Sequence, residues 1–362
     1  MLNLNRFREA QLAERLLSQI KNLAVEPVSL MEVCGTHTMA ISQSGIRSLL
    51  PKSLKLLSGP GCPVCVTPLE DIDSVIELAK MPSVILTTFG DMMRVPGSKS
   101  SLERAKAEGS DIRVVYSPLD SIKFALQNPE KEIVFVGVGF ETTSPTIAAT
   151  ILKARENKLK NFFVYPAFKT IPKAMGALLE MGKTKIDGFI CPGHVSTIIG
   201  SEPYEFIPQQ FGVPCVITGF EPIDVLEGIL MLLKQTNSRE PKVEIQYRRC
   251  VKPEGNLSAK EMLKKVFKET DASWRAIGTI PETGLTLREE FEQFDATKRF
   301  KIEVKKATEP KGCLCGNILI GVAEPKDCKL FGKGCTPTSP IGPCMVSSEG
   351  ACAAWYKYGE AR

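Results

Sequence analysis

A chain of 362 residues that is 43% hydrophobic and 24% charged is longer than one ordinary core fills and fits two or three domains of a globular protein. The formal charge of +5, from 46 basic against 41 acidic residues spread without a block, argues against nucleic acid and against an anionic membrane surface as partners. No run approaches the length that spans a bilayer, and the charged opening, with Arg6, Arg8, Glu9, Glu14, Arg15 and Lys21, has no apolar signal-peptide stretch.

The expected location is therefore cytoplasmic, where thiols stay reduced. In that setting the 12 cysteines point to metal ligation or redox chemistry and away from a structural disulfide framework. Six of them, Cys313, Cys315, Cys328, Cys335, Cys344 and Cys352, crowd the end of the chain, and Cys34, Cys62 and Cys65 sit in turns near its start.

In chain order, residues 2–23 place Leu12, Leu16, Ile20 and Leu23 at helical spacing, which predicts an amphipathic helix. Apolar, β-branched runs follow at 28–33, 54–57, 84–88, 113–116, 133–138, 162–165, 188–191 and 214–218. Helical stretches usually separate them, so the class is α/β with right-handed crossovers and mainly parallel sheets. Ligands of such sheets collect at the carboxyl ends of the strands. The unusual motifs stand there: Cys-Gly-Thr-His at 34–37, Gly-Pro-Gly-Cys-Pro-Val-Cys at 59–65, Phe-Gly-Asp at 89–91, Gly-Phe-Glu-Thr-Thr at 139–143, Pro-Gly-His at 192–194 and Gly-Phe-Glu-Pro at 219–222.

Segments 87–96 and 136–145 look like loose counterparts, each a strand, a glycine, an acid and a following proline. This predicts two similar doubly wound parallel-sheet lobes, 24–127 and 128–237, parted near 127–131. A third region would join 1–23 to 238–362 and carry an iron–sulfur cluster. Residues 236–259 read as a polar connection with one short strand at 243–247, and 260–269 as a helix. Beyond 300 the chain turns Gly-, Pro- and Cys-rich and buries too little apolar surface to fold without a metal or cluster.

The tail spacing, Cys313-x-Cys315-x12-Cys328-x6-Cys335-x8-Cys344-x7-Cys352, suits the four thiolates of a 4Fe–4S cluster set in glycine- and proline-bearing loops. Zinc also takes four cysteines but favours close Cys-x2-4-Cys pairs, which are missing here; ordinary buried or redox thiols are the third reading. The expected cluster ligands are Cys315, Cys328, Cys335 and Cys352, the last in a short helix from about residue 347, with Cys313 and Cys344 as substitutes.

Cys62-Pro-Val-Cys65 precedes Thr67-Pro68-Leu69-Glu70, which has the form of a capping box with proline at the first helical position. A helix N-terminus stabilises thiolate, so this pair can cycle through a disulfide or ligate a soft metal; two buried small hydrophobes are the plain alternative. Cys34 ends a strand and can hold iron, with His37 beside it as proton carrier or second ligand, or as a satisfied turn residue. The only two histidines, His37 and His194, both fall in strand-end motifs. Glu141 and Glu221 read either as acid–base groups or as helix N-terminal carboxylates.

Taken together, the stretches 34–37, 58–67, 139–143, 192–196 and 219–224, with the tail run Cys-Gly…Cys…Cys-Thr-Pro…Cys-Met-Val-Ser-Ser-Glu-Gly-Ala-Cys, closely resemble the HypD family of nickel–iron hydrogenase maturation factors, in order and over nearly the whole chain. The resemblance implies assembly of the Fe(CN)2CO unit together with a HypC-type chaperone and a HypE-type cyanide donor supplied by HypF, for eventual transfer to the hydrogenase large subunit. It implies that Cys34 binds iron, that Cys62 and Cys65 form a redox dithiol or further iron ligands, and that a 4Fe–4S cluster on the tail passes electrons to that dithiol. Two rivals stay open: a stand-alone cluster-dependent disulfide reductase, and a zinc-stabilised interaction protein.

Overall fold

The computed structural model describes residues 9–304 and 307–359; residues 2–8 of the expected opening helix lie outside the described residues. The strands, in chain order, are β1 Val28–Glu32, β2 Leu54–Ser58, β3 Val84–Thr88, β4 Ile112–Val114, β5 Glu132–Gly139, β6 Phe162–Lys169, β7 Gly188–Cys191, β8 Cys215–Ile217, β9 Val243–Ile245, β10 Phe267–Trp274 and β11 Gly278–Leu287. They build two parallel-dominated sheets, in the orders β2-β1-β7-β8-β9 and β10-β11-β6-β5-β3-β4. The first is parallel throughout; in the second only β11 runs antiparallel to its neighbours, pairing with β10 in a hairpin and with β6 through Gly284 and Leu285. Strands such as β3, β7 and β8 are buried along their whole length, which is why they read as unbroken apolar runs.

All nine strands expected up to residue 247 form, but the chain does not change sheets at 127–131. It crosses from the first sheet to the second between β2 and β3, returns between β6 and β7, and crosses again between β9 and β10. Each sheet therefore draws on both sides of the expected boundary. The loosely repeated segments 87–96 and 136–145 follow or end β3 and β5, which are hydrogen-bonded neighbours in one sheet. Their likeness is that of two adjacent strand–loop units. A strand buried on both faces looks the same in either sheet, so its pattern cannot say which sheet it joins.

The opening helix, Ala10–Leu23, packs against the Pro222–Ser238 helix. Its Leu16 and Ile20 share a core with Leu30, Val216 and Leu226 of the first sheet's layer, so residues 10–23 belong with that sheet and not with the tail region. The helix expected at 260–269 is Leu257–Val266; from Phe267 the chain is extended. The sequence gives little signal for the hairpin because β10 exposes Lys268-Glu-Thr-Asp and β11 contains Pro281. Trp274 anchors it, buried against Phe140 with ring centroids 6.0 Å apart and donating from Nε1 to Thr283 Oγ1 at 2.8 Å.

Residues 307–359 fold over the loops that leave β1, β2 and β3. Thr36 Oγ1 donates to Glu349 Oε1 at 2.7 Å, the Pro343–Met345 turn packs on the Pro63–Val66 helix, and Ser347 Oγ donates to Asp91 Oδ2 at 2.9 Å. Arg94 reaches the carbonyls of Pro337 and Val346 at 3.0 and 3.4 Å. Phe-Gly-Asp at 89–91 thus serves to hold the tail. The last described helix is Ala351–Tyr358, starting later than residue 347 because Ser347 and Gly350 close a turn, N–H to carbonyl 2.9 Å. No helix among the described residues is long and apolar enough to cross a membrane.

Candidate functional site

Cys34 caps the N-terminus of the Gly35–Gln43 helix directly after β1. The peptide N–H groups of Thr36 and His37 face its sulfur, yet burial, with the nearby Glu349 carboxylate adding to it, pushes the thiol up to about 12. Cys34 is therefore held as a thiol at neutral pH. Beneath it lies Glu32, wholly buried, accepting from the Thr38 hydroxyl at 2.6 Å and the Cys34 N–H at 3.2 Å. Burial raises its carboxyl to about 7.

Glycine is required where the next loop meets this one. Gly35 N–H donates to Gly61 O at 3.0 Å, and a Cβ on Gly61 would overlap the backbone of Val33 and Cys34. The close approach brings Cys62 and Cys65 beside the Cys34 loop. The two are closed as a disulfide across Cα atoms 5.2 Å apart, both sulfurs buried. Cys62 caps a one-turn helix, Pro63–Val66, that contains Cys65, and Cys62 Sγ accepts from Cys65 N–H at 3.2 Å.

The capping box expected at 67–70 does not form. Thr67 Oγ1 turns back to Pro63 O at 2.8 Å, the Leu69–Ala79 helix begins with no side-chain cap, and Glu70 instead accepts from Ala307 N–H at 3.3 Å. In this oxidised form the Cys62 and Cys65 sulfurs are bonded to one another; two electrons and two protons convert them to thiols that can bind metal.

His37 is completely buried, with Nε2 2.8 Å from Thr218 Oγ1 and 3.0 Å from Gly219 O, while Nδ1 has no partner. Burial lowers its pKa to about 4, so the ring is neutral and donates from Nε2 to the Gly219 carbonyl. Its stacking partner is Phe220, centroids 4.6 Å apart, and Phe220 in turn stacks on exposed His194 at 4.1 Å. The two histidines therefore meet through one aromatic ring. Glu349, whose charge acts on both Cys34 and His194, completes this mouth; it is a functional candidate that the sequence reading passed over although it lies inside the tail motif.

In the tail, Cys313, Cys315, Cys328, Cys335 and Cys352 line one small cavity of about 10 Å³ with Leu330, Phe331, Gly342 and Met345. All four expected cluster ligands face it, joined by Cys313. Cys344 sits behind, its N–H donating to Cys315 Sγ at 3.3 Å, and Ile341 N–H likewise reaches Cys335 Sγ at 3.3 Å. A Cβ on Gly342 would stand 2.7 Å from Cys313 Sγ. Cys313 is pushed up by its hydrogen bond to the Cys315 thiol and then by burial; Cys352 is pushed up by burial and then by the surrounding thiols.

The cavity offers soft sulfur donors and apolar walls without a carboxylate or imidazole. Among the described residues no three His, Cys, Asp or Glu side chains converge to hold a single ion; the thiols instead ring a space. A ring of sulfur donors of this kind is a set that could hold an iron–sulfur centre. Cys62 and Cys65 share one contiguous buried cluster with Cys315, Cys335, Cys344 and Cys352.

The motif glutamates turn out to be helix-terminal. Glu221 caps the Pro222–Ser238 helix in a reciprocal box with Asp224. Glu141 Oε1 accepts the Ile171 N–H at 2.9 Å at the start of the Ile171–Met181 helix, but its Oε2 has no partner and burial raises the group to about 7. Because the unfolded chain releases this proton near the ordinary 4.5, the folded form binds the extra proton between those values, and Glu141 lowers stability as pH rises through that window. Glu141→Gln is expected to be more stable than the unchanged chain by about 1–3 kcal/mol above pH 7 and to lose that advantage towards pH 4.5, as urea unfolding at pH 5 and pH 8 would show.

A family model described as the hydrogenase formation hypA family, HypD, matches residues 11–359. A hydrogenase maturation factor HypD of Azotobacter vinelandii is 47% identical across 100% of this chain and 98% of its own length. The Escherichia coli K12 hydrogenase maturation factor HypD is 45% identical over 96% of this chain and 94% of its own. A putative hydrogenase expression/formation protein of Methanocaldococcus jannaschii is 44% identical over 99% of both.

Proposed function

The chain belongs to the HypD family of hydrogenase maturation factors, and on that premise we propose that it holds iron on Cys34 while the cyanide and carbon monoxide ligands of the Fe(CN)2CO unit are put in place. The observation that carries this reading is the folding of the tail onto the early loops, with Glu349 on Thr36 and Pro343–Met345 on Pro63–Val66. Soft donors from both ends of the chain thereby occupy one buried neighbourhood.

Low-spin ferrous iron carrying cyanide and carbon monoxide suits thiolate donors. Cys34 supplies the first, its developing charge met by the Thr36 and His37 N–H groups. Cys62 and Cys65 supply more once their disulfide is opened. Cys315, Cys328, Cys335 and Cys352, with Cys313 as the fifth candidate, would hold a 4Fe–4S cluster, which supplies one-electron transfer. His37, neutral and fixed by Gly219, keeps the Phe220 wall of the mouth in place, and its Nδ1 can take a proton. Partners follow from the family: a HypC-type chaperone, a HypE-type cyanide donor served by HypF, and finally the hydrogenase large subunit, all in the cytoplasm.

The test is oxygen-free purification with iron, sulfide and zinc analysis, combined with the infrared spectrum of material loaded by the cyanide-donating partner. About four cluster iron and four sulfide per chain, together with cyanide and carbon monoxide stretching bands, are expected. Zinc without sulfide would leave only an interaction protein. A cluster without such bands would leave a disulfide reductase, in which Cys34 has no role.

A further inference from the structure

Arg275 lies in the turn between β10 and β11, is 4% exposed, and has two N–H groups, on Nε and Nη1, without any partner. Its Nη2 donates to Glu309 Oε2 at 2.6 Å, a carboxylate 50% exposed on the solvent side. Each buried donor left unmet costs about 1–3 kcal/mol, and such a group calls for an acceptor beyond the protein's own oxygens. Its surroundings supply one class of acceptor. The Arg275 peptide N–H donates to Val66 O at 2.9 Å, at the end of the turn that holds Cys62 and Cys65. The next residue, Ala276, lies so close to Gly316, the neighbour of Cys315, that a Cβ on Gly316 would overlap the Ala276 Cβ. Arg275 is also the cation whose charge opposes the upward push on Cys313 and Cys344.

We infer that Arg275 is a positioning residue for the cysteine cavity: its idle N–H groups are the donors for thiolate or sulfide sulfur held there, and its charge makes that centre easier to reduce. The physical reason is general. Adding an electron adds negative charge, and a fixed cation with N–H donors in a poorly solvated site favours the reduced form. The inference rests on the cluster reading above. Because the bond from Arg275 to Val66 is a backbone bond, it survives any change of side chain, so charge and position can be separated.

The test is a redox titration of the oxygen-free full-length chain followed by electron paramagnetic resonance. Arg275→Gln is expected to make reduction about tenfold less favourable, about 59 mV for a one-electron couple, with iron and sulfide content unchanged. Arg275→Lys should bring the potential most of the way back, and Glu309→Gln, which removes the compensating carboxylate, should move it in the opposite direction. A fully loaded Arg275→Gln variant within twofold of the unchanged protein would overturn the inference. If that variant fails to assemble, an unmoved potential in Glu309→Gln overturns it. Absence of iron and sulfide from the unchanged chain would instead bring down the cluster reading beneath it.

Discussion

Cys34→Ala is expected to lose the iron–cyanide load altogether while retaining its full complement of cluster iron and sulfide. Cys34 follows β1 and is not among the residues that line the tail cavity, so its removal takes no donor from the cavity. The loss should exceed about 100-fold, because removing merely the outer partners of a bound metal costs 10- to 100-fold. Replacing the thiol by hydrogen also leaves the fold intact, since the backbone bonds of this helix cap, Cys34 N–H to Glu32 and Thr38 N–H to Cys34 O, do not involve its side chain. Infrared bands of normal intensity in this variant would remove Cys34 from its assigned role.

Cys315→Ala should have the wider effect. Cys315 lines the cavity, accepts the Cys344 N–H and is in hydrogen-bond contact with the Cys313 thiol. Iron and sulfide are expected to fall to background. Residues 307–359 contain only short helices and turns and no named strand, so without the centre they should become far more open to protease. Loading at Cys34 should then fall as well, since Glu349 and the Pro343–Met345 turn are held by the same segment. The asymmetry is the informative part: the early cysteine can be removed without the cluster, but the tail cysteine cannot be removed without harm to both.

Much of this was legible in the sequence. The nine strands up to residue 247 stood out as short apolar runs, above all β3, β5, β6, β7 and β8, which are buried along nearly their whole length, and the motifs fell at their carboxyl ends because a parallel sheet gathers its loops there. The same burial hid which sheet each strand joins, so 127–131 looked like a boundary although β3 and β5 pair across it. At 67–70 a correct local signal lost to tertiary packing: Thr67 found the Pro63 carbonyl and Glu70 the Ala307 N–H. The tail cysteines were legible from their spacing; Cys315, Cys328, Cys335 and Cys352 line one cavity, and Cys313 lines it with them.

The polar residues that serve the site were harder to see. Glu349 and Arg275 are ordinary charged residues in sequence, and their roles come from contacts with positions more than 200 residues away, Thr36 and Val66. Phe220 lies in the Gly-Phe-Glu-Pro motif, but nothing local shows that it is the ring that joins His37 to His194. Such roles depend on the crossing connections between the two sheets, which no local pattern encodes.

The proposed route carries electrons from the tail centre to the Cys62–Cys65 pair. It is tested by reducing the oxygen-free protein with a one-electron donor and then trapping thiols with an alkylating reagent, with mass spectrometry reading Cys62 and Cys65. Both cysteines are expected to be labelled in the cluster-loaded chain, two electrons and two protons opening each disulfide, and both to stay unlabelled in Cys315→Ala under the same donor. A reduced cluster beside a Cys62–Cys65 bond that remains closed would contradict it.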